Sequence, residues 1–116
     1  MNITESLARS LAALGHETRL DIFRLLVRAG VSGMTVGQIG AHLDMPPSTL
    51  AHHLRSLVDG GLVLQTRQGR EVINAASYNT MNAIIDYLTD QCCVGVDTQE
   101  ADRALSLANT RIEKNG

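Results

Sequence analysis

The chain has 116 residues, of which 44% are hydrophobic and only 3% aromatic, and its formal net charge is -2 at pH 7. This size and apolar content favour one domain with a single core and exclude a disordered chain. No apolar run approaches the roughly 18 residues of a membrane-spanning helix, and the opening stretch MNITESLARS lacks the features of a secretory signal. We therefore expect a cytoplasmic protein whose two cysteines stay reduced.

Four helices are predicted in the first half of the chain, each from apolar residues at helical spacing. Asn2 or Thr4 can cap the first helix, and Thr35 can cap the third. Proline suits the first turn of the fourth, because the N–H that it lacks would be unpaired there. The predicted ranges are Ile3 to Leu14, about Glu17 to Gly30, Thr35 to Leu43, and Pro46 to the Gly60-Gly61 pair.

Two strands and a fifth helix are predicted to follow. The strands are Leu62 to Thr66 and Glu71 to Ala75, with Gln68-Gly69 at the turn between them. The helix runs from about Tyr78 to Cys92 and is broken by the sequence Val-Gly-Val. We expect residues 1–96 to form the main domain and residues 97–116 a tail, either a short docked helix or a frayed end. The apolar residues of the tail that recur at helical spacing are Ala101, Leu105, Ala108 and Ile112.

This order of elements predicts a mainly α fold with a small β-hairpin, the winged helix-turn-helix (ααααββα). Helices three and four form the helix-turn-helix, and the two strands form the wing. The apolar faces of the first and last helices exceed what one small core can cover. We therefore expect a homodimer that packs through these two helices.

The outer face of the fourth helix carries residue types that bind DNA. If Leu50, Leu54 and Leu57 face inward, a rotation of ~100° per residue turns hydroxyl, imidazole and guanidinium groups outward. Hydroxyls near a helix N-terminus can bind phosphate, arginine can bind guanine or phosphate, and wing arginines can clamp the backbone or enter the minor groove. The predicted DNA-binding residues are Ser48, Thr49, His52, His53, Arg55, Ser56, Arg67 and Arg70.

Alternatives remain at this point. A polar helix face is often only solvated, and His53 lies at the margin of the apolar stripe, where it is either a packing residue or a base reader. A winged helix can also serve as a protein-interaction module without DNA binding. An enzyme is not expected, and no catalytic residue is assigned, because the chain has no Gly-rich phosphate loop, HExxH motif or nucleophile elbow.

Four segments in order resemble the ArsR/SmtB family of bacterial winged-helix repressors: AALGHETRLDIFRLL (residues 12–26), STLAHHLRSL (48–57), GLV (61–63) and RQGRE (67–71). The resemblance covers about residues 5 to 95. It implies a homodimer bound to a pseudo-palindromic double-stranded operator and released by a metal, metalloid or other signal. The family often has Ser-Gln-His-Leu where this chain has Ala51-His52-His53-Leu54, and often a Tyr where Ile73 and Asn74 lie.

Family metal sites are mostly missing from this chain. The third helix has no Cys-x-Cys motif. A second family site uses an Asp and a His on the last helix; Asp86 is present here, but Leu88 lies where the His would be. Cys92 and Cys93 remain, and they resemble the thiols of arsenic-responsive members, which usually have a third Cys nearby. The resemblance implies arsenite or antimonite as inducer, with a third ligand from hydroxide, a small thiol or the partner subunit. Two free thiols, or a redox or reactive-sulfur switch, are the alternatives, and no cofactor is expected.

Overall fold

The computed structural model describes residues 2–97, 99 and 102–108. The elements are α1 (Ile3–Leu14), α2 (Glu17–Ala29), β1 (Met34–Thr35), α3 (Val36–Leu43), α4 (Pro47–Asp59), β2 (Val63–Gln68), β3 (Glu71–Ala76) and α5 (Tyr78–Thr89). This order confirms the predicted winged helix-turn-helix, in which α3 and α4 form the helix-turn-helix and β2 and β3 form the wing.

The tail is described only in part. Residues 102–108 are helical and exposed, and they include the predicted apolar positions Leu105 and Ala108. The other two positions of the predicted helical spacing, Ala101 and Ile112, lie outside the described residues.

Side-chain caps explain where two of the helices begin. The Asn2 side chain accepts a hydrogen bond from the Glu5 amide at 2.8 Å, so Asn2, and not Thr4, caps α1. Thr35 and Gln38 form a reciprocal capping box at α3, with distances of 3.2 and 2.9 Å. Such caps satisfy amides that the helix itself leaves unpaired, which places the start of each helix at a defined residue.

The sheet has three antiparallel strands in the order β1-β3-β2, and β1 is the strand that the sequence analysis missed. Its two residues are too few to show a period of two. The loop before β1 depends on Gly33, which has a φ of +68°. A Cβ at that position would lie 2.5 Å from the carbonyl oxygen of Asn74, so the loop can press against β3 only with glycine there.

One core joins the helices and the sheet. Ile22, Leu26, Ile39, Leu50 and Leu57 are each completely buried, and they come from α2, α3 and α4. The packing of these three helices therefore fixes the orientation of the helix-turn-helix. Within the described part of the chain, none of the helices is both long and apolar enough to cross a bilayer.

The last helix ends earlier than predicted, at Thr89 instead of Cys92. Asp90 leaves the helical conformation with a ψ of 133°, and Gln91 has a left-handed φ of 58°. The last buried side chain of α5 is Ile84, and residues 85–97 are all exposed. Another helical turn would bury nothing, and packing of an apolar face is the main source of helix stability in proteins. The two cysteines therefore lie in a turn beyond the helix.

Candidate nucleic-acid interface

The two faces of α4 differ sharply in exposure. Leu50, Leu54 and Leu57 are at most 2% exposed and pack into the core. The opposite face presents the predicted DNA-binding side chains of Ser48, Thr49, His52 and Arg55, all of which are exposed. The core therefore holds this helix in place while its polar face remains open.

The N-terminus of α4 has free amides. Pro46 occupies the capping position and Pro47 the first helical position, and no side chain caps the helix. The first N–H groups of a helix need partners from outside it, and they lie at the positive end of the helix dipole. The amides and hydroxyls of Ser48 and Thr49 together suit a phosphate group.

Ser56 lies at the edge of the exposed face. It is half-buried, and its hydroxyl donates to the carbonyl of His52 at 3.4 Å, within its own helix. Its hydroxyl can reach DNA only from the margin of the interface.

His53 belongs to the buried side of α4, which corrects its inclusion among the predicted DNA contacts. It is 9% exposed, and its ring lies 4.9 Å from the ring of His16, measured between centroids. Burial lowers the pKa of His53, and positive charge at His16, Arg19 and His52 lowers it further. Its Nδ1 has no hydrogen-bond partner in the part of the chain that the structure describes. A buried ring on the core side of α4 packs the helix and is not placed to contact a base.

The wing presents two arginines at its tip. Gln68 pairs with Glu71, which leaves a two-residue turn of Gly69 and Arg70, one residue later than predicted. Gly69 has a φ of +62°, as the first position of a tight type II′ hairpin turn requires. Arg67 and Arg70 are both exposed. Like that of Arg55, their guanidinium groups have no hydrogen bond or ion pair to any other described residue.

The structure also shows a buried polar residue in the wing whose role the sequence analysis missed. Asn74, in the middle strand, accepts from the Gln65 side chain at 2.8 Å and donates to the carbonyl of Met34 at 3.2 Å. Asparagine is depleted in strands, so its position in a predicted strand was the available signal.

The thiols of Cys92 and Cys93 lie side by side. Their sulfurs are 3.1 Å apart, and both residues are exposed. The hydrogen bond with Cys93 raises the pKa of the Cys92 thiol. Cys93 has a left-handed φ of 65°. In an extended strand, neighbouring side chains point to opposite sides of the backbone. The left-handed conformation of Cys93 departs from that arrangement and allows the two sulfurs to lie side by side. Among the described residues, no group of three or more His, Cys, Asp or Glu side chains could hold a metal ion.

Comparisons with known proteins agree with this architecture. Residues 14–66 match the HTH_20 family, described as a helix-turn-helix domain. The chain is 35% identical over 104 residues to the HTH-type transcriptional regulator CmtR of Mycobacterium tuberculosis (strain ATCC 25618 / H37Rv), covering 87% of this chain and 85% of that protein.

Solved structures show the same fold. An ArsR-like transcriptional regulator from Rhodococcus sp. RHA1 superposes with a TM-score of 0.68 at 27% identity, covering 92% of each chain. The homodimeric winged helix-turn-helix DNA-binding domain of Mb0332 from Mycobacterium bovis has a TM-score of 0.62 at 24% identity, covering 78% of this chain and 84% of that one. The protein is therefore a transcriptional regulator, and not an enzyme, and it belongs to the ArsR family of winged helix-turn-helix proteins.

Proposed function

We propose that the protein is a homodimeric repressor that binds a pseudo-palindromic operator in the cytoplasm and leaves it when trivalent arsenic or antimony binds Cys92 and Cys93. The observation that carries the DNA-binding part is the exposed face of α4, which lies on a fully buried stripe and has no partner for Arg55 among the described residues. We assign DNA binding and dimerisation to residues 1–96, with residues 97–116 as a separate tail.

Each exposed group has a role on DNA. The amides and hydroxyls of Ser48 and Thr49 bind a phosphate and set the register of the helix. His52 and Arg55 lie farther along the same exposed face, where they reach base edges in the major groove. Arg67 and Arg70 on the wing neutralise the flanking backbone or enter the minor groove, and Ser56 contributes at the margin.

Homodimerisation is supported by the outer surfaces of α1 and α5. Ile3, Ile85 and Leu88 are exposed by 63%, 51% and 64%, although all three are large and apolar. The two helices meet around a small apolar cavity of about 100 Å³, beside which the Thr4 and Tyr87 hydroxyls lie 2.6 Å apart. Large apolar side chains exposed on two helices that pack together favour a protein interface there. A second copy that offers the same helices would cover it, as expected for a twofold dimer.

The paired thiols support a metalloid inducer. Soft thiolates select soft, thiophilic centres over hard ions, and two sulfurs 3.1 Å apart can both bond to one trivalent arsenic. In that reaction each thiol proton combines with a hydroxyl group of arsenous acid, two molecules of water leave, and two S–As bonds form. The third position keeps hydroxide or takes a small thiol or a group from the partner subunit. No resident cofactor is required.

Coupling between the two sites follows from their places in the fold. Cys92 and Cys93 lie three and four residues after the end of α5, the helix that we propose supplies part of the dimer surface. Closure of a ring through both sulfurs changes the turn at the end of α5, and with it the contacts between subunits. The two copies of α4 then no longer match half-sites about one DNA turn apart. A coupling free energy of about 1–3 kcal/mol would weaken operator binding roughly 5- to 150-fold.

The decisive experiment is titration of a labelled fragment of the protein's own promoter, followed by fluorescence anisotropy at several salt concentrations. We expect salt-dependent binding that Arg55→Ala weakens by about tenfold or more, whereas Arg103→Ala, an equal loss of charge in the exposed tail, leaves it unchanged. Sodium arsenite should release the parent protein but not the Cys92→Ser/Cys93→Ser variant.

The outcomes separate the parts of the proposal. Binding that is insensitive to Arg55→Ala and to salt would contradict the DNA interface and favour a protein-interaction module. Equal release of both proteins by arsenite would remove the thiols from the mechanism. Release by an oxidant or polysulfide, with arsenite inert, would replace the metalloid with a redox or reactive-sulfur signal at the same two thiols.

A further inference from the structure

We propose that Asn74 is a positioning residue that fixes the wing relative to the helix-turn-helix, so that Arg67 and α4 contact the same stretch of DNA. The inference rests on the proposed contact between the wing arginines and DNA. It adds a residue that never touches DNA itself and acts through Gln65 and Met34.

Asn74 is unusual for its place in the fold. It is completely buried, and it lies in β3, the middle strand of the sheet. Asparagine is a poor strand former, and burial of its amide is costly unless both ends are hydrogen-bonded. A Val or Ile would pack better in a middle strand whose only task was stability. The amide therefore has a task that an apolar side chain cannot perform.

The two hydrogen bonds of Asn74 connect both neighbours of β3. Gln65 in β2 donates its side-chain amide to Asn74 Oδ1 at 2.8 Å, and Asn74 donates from Nδ2 to the Met34 carbonyl in β1 at 3.2 Å. Backbone pairing already sets Asn74 opposite both residues. The side chain adds a second connection in the same register, which ties all three strands at one level.

One end of this connection leads to the wing tip. Side chains alternate between the two faces of a strand, so Gln65 and Arg67 share a face of β2. Gln65 is exposed except for its bond to Asn74, and Arg67 lies two residues farther toward the turn. A fixed Gln65 limits the bending and twisting of the strand that carries Arg67.

The other end leads to the helix-turn-helix. Met34 directly precedes Thr35, the residue that caps α3. The loop before Met34 is pressed against β3, because Gly33 approaches the backbone of Asn74 too closely for a side chain. The first helix of the helix-turn-helix therefore begins from a point that Asn74 holds.

Few residues can replace Asn74. Aspartate has a similar shape but no donor for the Met34 carbonyl, and leucine has neither donor nor acceptor. Because such changes in the core can prevent folding, the sharper variant is Gln65→Leu. It removes one hydrogen bond from an exposed side chain and leaves Asn74 in place. Thr66→Val is the matched control, since Thr66 is exposed in the same strand on the opposite face.

The test is a double-mutant cycle on operator affinity, with Gln65→Leu placed in the parent and in an Arg67→Ala/Arg70→Ala background. In the parent we expect Gln65→Leu to weaken binding about two- to tenfold, the range for the loss of one net hydrogen bond, and Thr66→Val to have no effect. In the Arg67→Ala/Arg70→Ala background the effect should fall below about 1.5-fold, because the wing side chains that Asn74 positions are gone.

Four outcomes overturn the inference. No effect of Gln65→Leu in the parent contradicts it directly. An equal loss in both backgrounds, or a loss that merely follows a lower melting temperature, shows that the hydrogen bond has only a structural role. If Arg67→Ala/Arg70→Ala itself leaves both affinity and salt dependence unchanged, then the wing does not contact DNA, and that part of the proposed function fails with it.

Discussion

The helix α4 and the segment after α5 differ most in how they are packed. One face of α4 is buried along its length, and three of its four buried residues, Leu50, Leu54 and Leu57, belong to the hydrophobic core. Residues 90–97, by contrast, are all exposed, and the chain takes left-handed conformations at Gln91 and Cys93. Segments with few buried contacts reorganise at the lowest free-energy cost. The molecule thus holds its DNA-binding face rigidly and presents its thiols where a ligand can change the chain locally.

The largest expected effect comes from shortening a buried side chain of α4. Leu57 is completely buried in the core, so Leu57→Ala should reduce the free energy of unfolding by about 2–5 kcal/mol through lost burial and the cavity that remains. Val94, in the segment after α5, is 73% exposed and serves as the matched position. Val94→Ala should change the free energy of unfolding by less than about 0.5 kcal/mol. Urea denaturation of both variants measures the difference.

The stability of Val94→Ala can also contradict this picture of a loosely packed segment. A loss of stability for Val94→Ala as large as that for Leu57→Ala would show that the segment after α5 packs against something, such as the partner subunit. Repeating the measurement at several protein concentrations separates the cases, because contacts between subunits make stability depend on concentration.

A second, intermediate effect concerns pH and the buried side of α4. The pKa of His53 is lowered below its ordinary value of 6.5, chiefly by burial. When the pH falls below 6.5, the unfolded chain binds a proton at this position before the folded chain does. The free energy of unfolding should therefore decrease as the pH falls from 6.5 through the folded pKa, and this group adds no slope above that range. Urea denaturation at a series of pH values measures the slope.

The variants for this test lie next to each other in α4. His53→Met removes the buried titrating group and should flatten the acid slope. His52→Gln changes an exposed ring and removes only the smallest of the charges that lower the pKa of His53, so it should preserve most of the slope. Identical slopes for the parent and His53→Met would mean that other groups cause the loss of stability in acid.

The same contrast explains what the sequence could predict. The buried stripe of α4 follows from the helical spacing of Leu50, Leu54 and Leu57, and the sequence signalled the start of α3 through its Thr35 cap. Periodicity could not locate the end of α5, because the apolar positions stop at Leu88 and do not tell whether the helix continues to Cys92. Only the exposure of residues 85–97 shows that a further turn would bury nothing.

Residues whose place depends on tertiary contacts were also beyond prediction. His53 lies at the edge of the apolar stripe, and the α1–α2 turn brings the His16 ring against it, a contact that helical spacing does not show. Asn74 appears as an unfavourable strand residue until Gln65 and Met34 are brought beside it. Sequence patterns indicate which face of an element is apolar, whereas the partners of a single polar group come from distant parts of the chain.

The smallest expected effect lies in the exposed region, at the thiol pair. The hydrogen bond with Cys93 raises the pKa of Cys92, so at a given pH less of Cys92 is the reactive thiolate. Cys93→Ala removes this bond, and we expect Cys92 to react modestly faster with iodoacetamide near pH 8, as followed by mass spectrometry of the labelled peptide. The alkylation rate of Cys92 in Cys93→Ser should lie between those of the parent and Cys93→Ala, because the serine hydroxyl can keep a hydrogen bond.

Stability is the control for this test. Both cysteines are exposed, so the urea denaturation curves of the parent, Cys93→Ala and Cys93→Ser should coincide. A change in unfolding free energy for Cys93→Ala, without a change in alkylation rate, would mean that the pair is held by packing, and the contrast between a packed DNA-binding helix and a loosely held thiol turn would no longer stand.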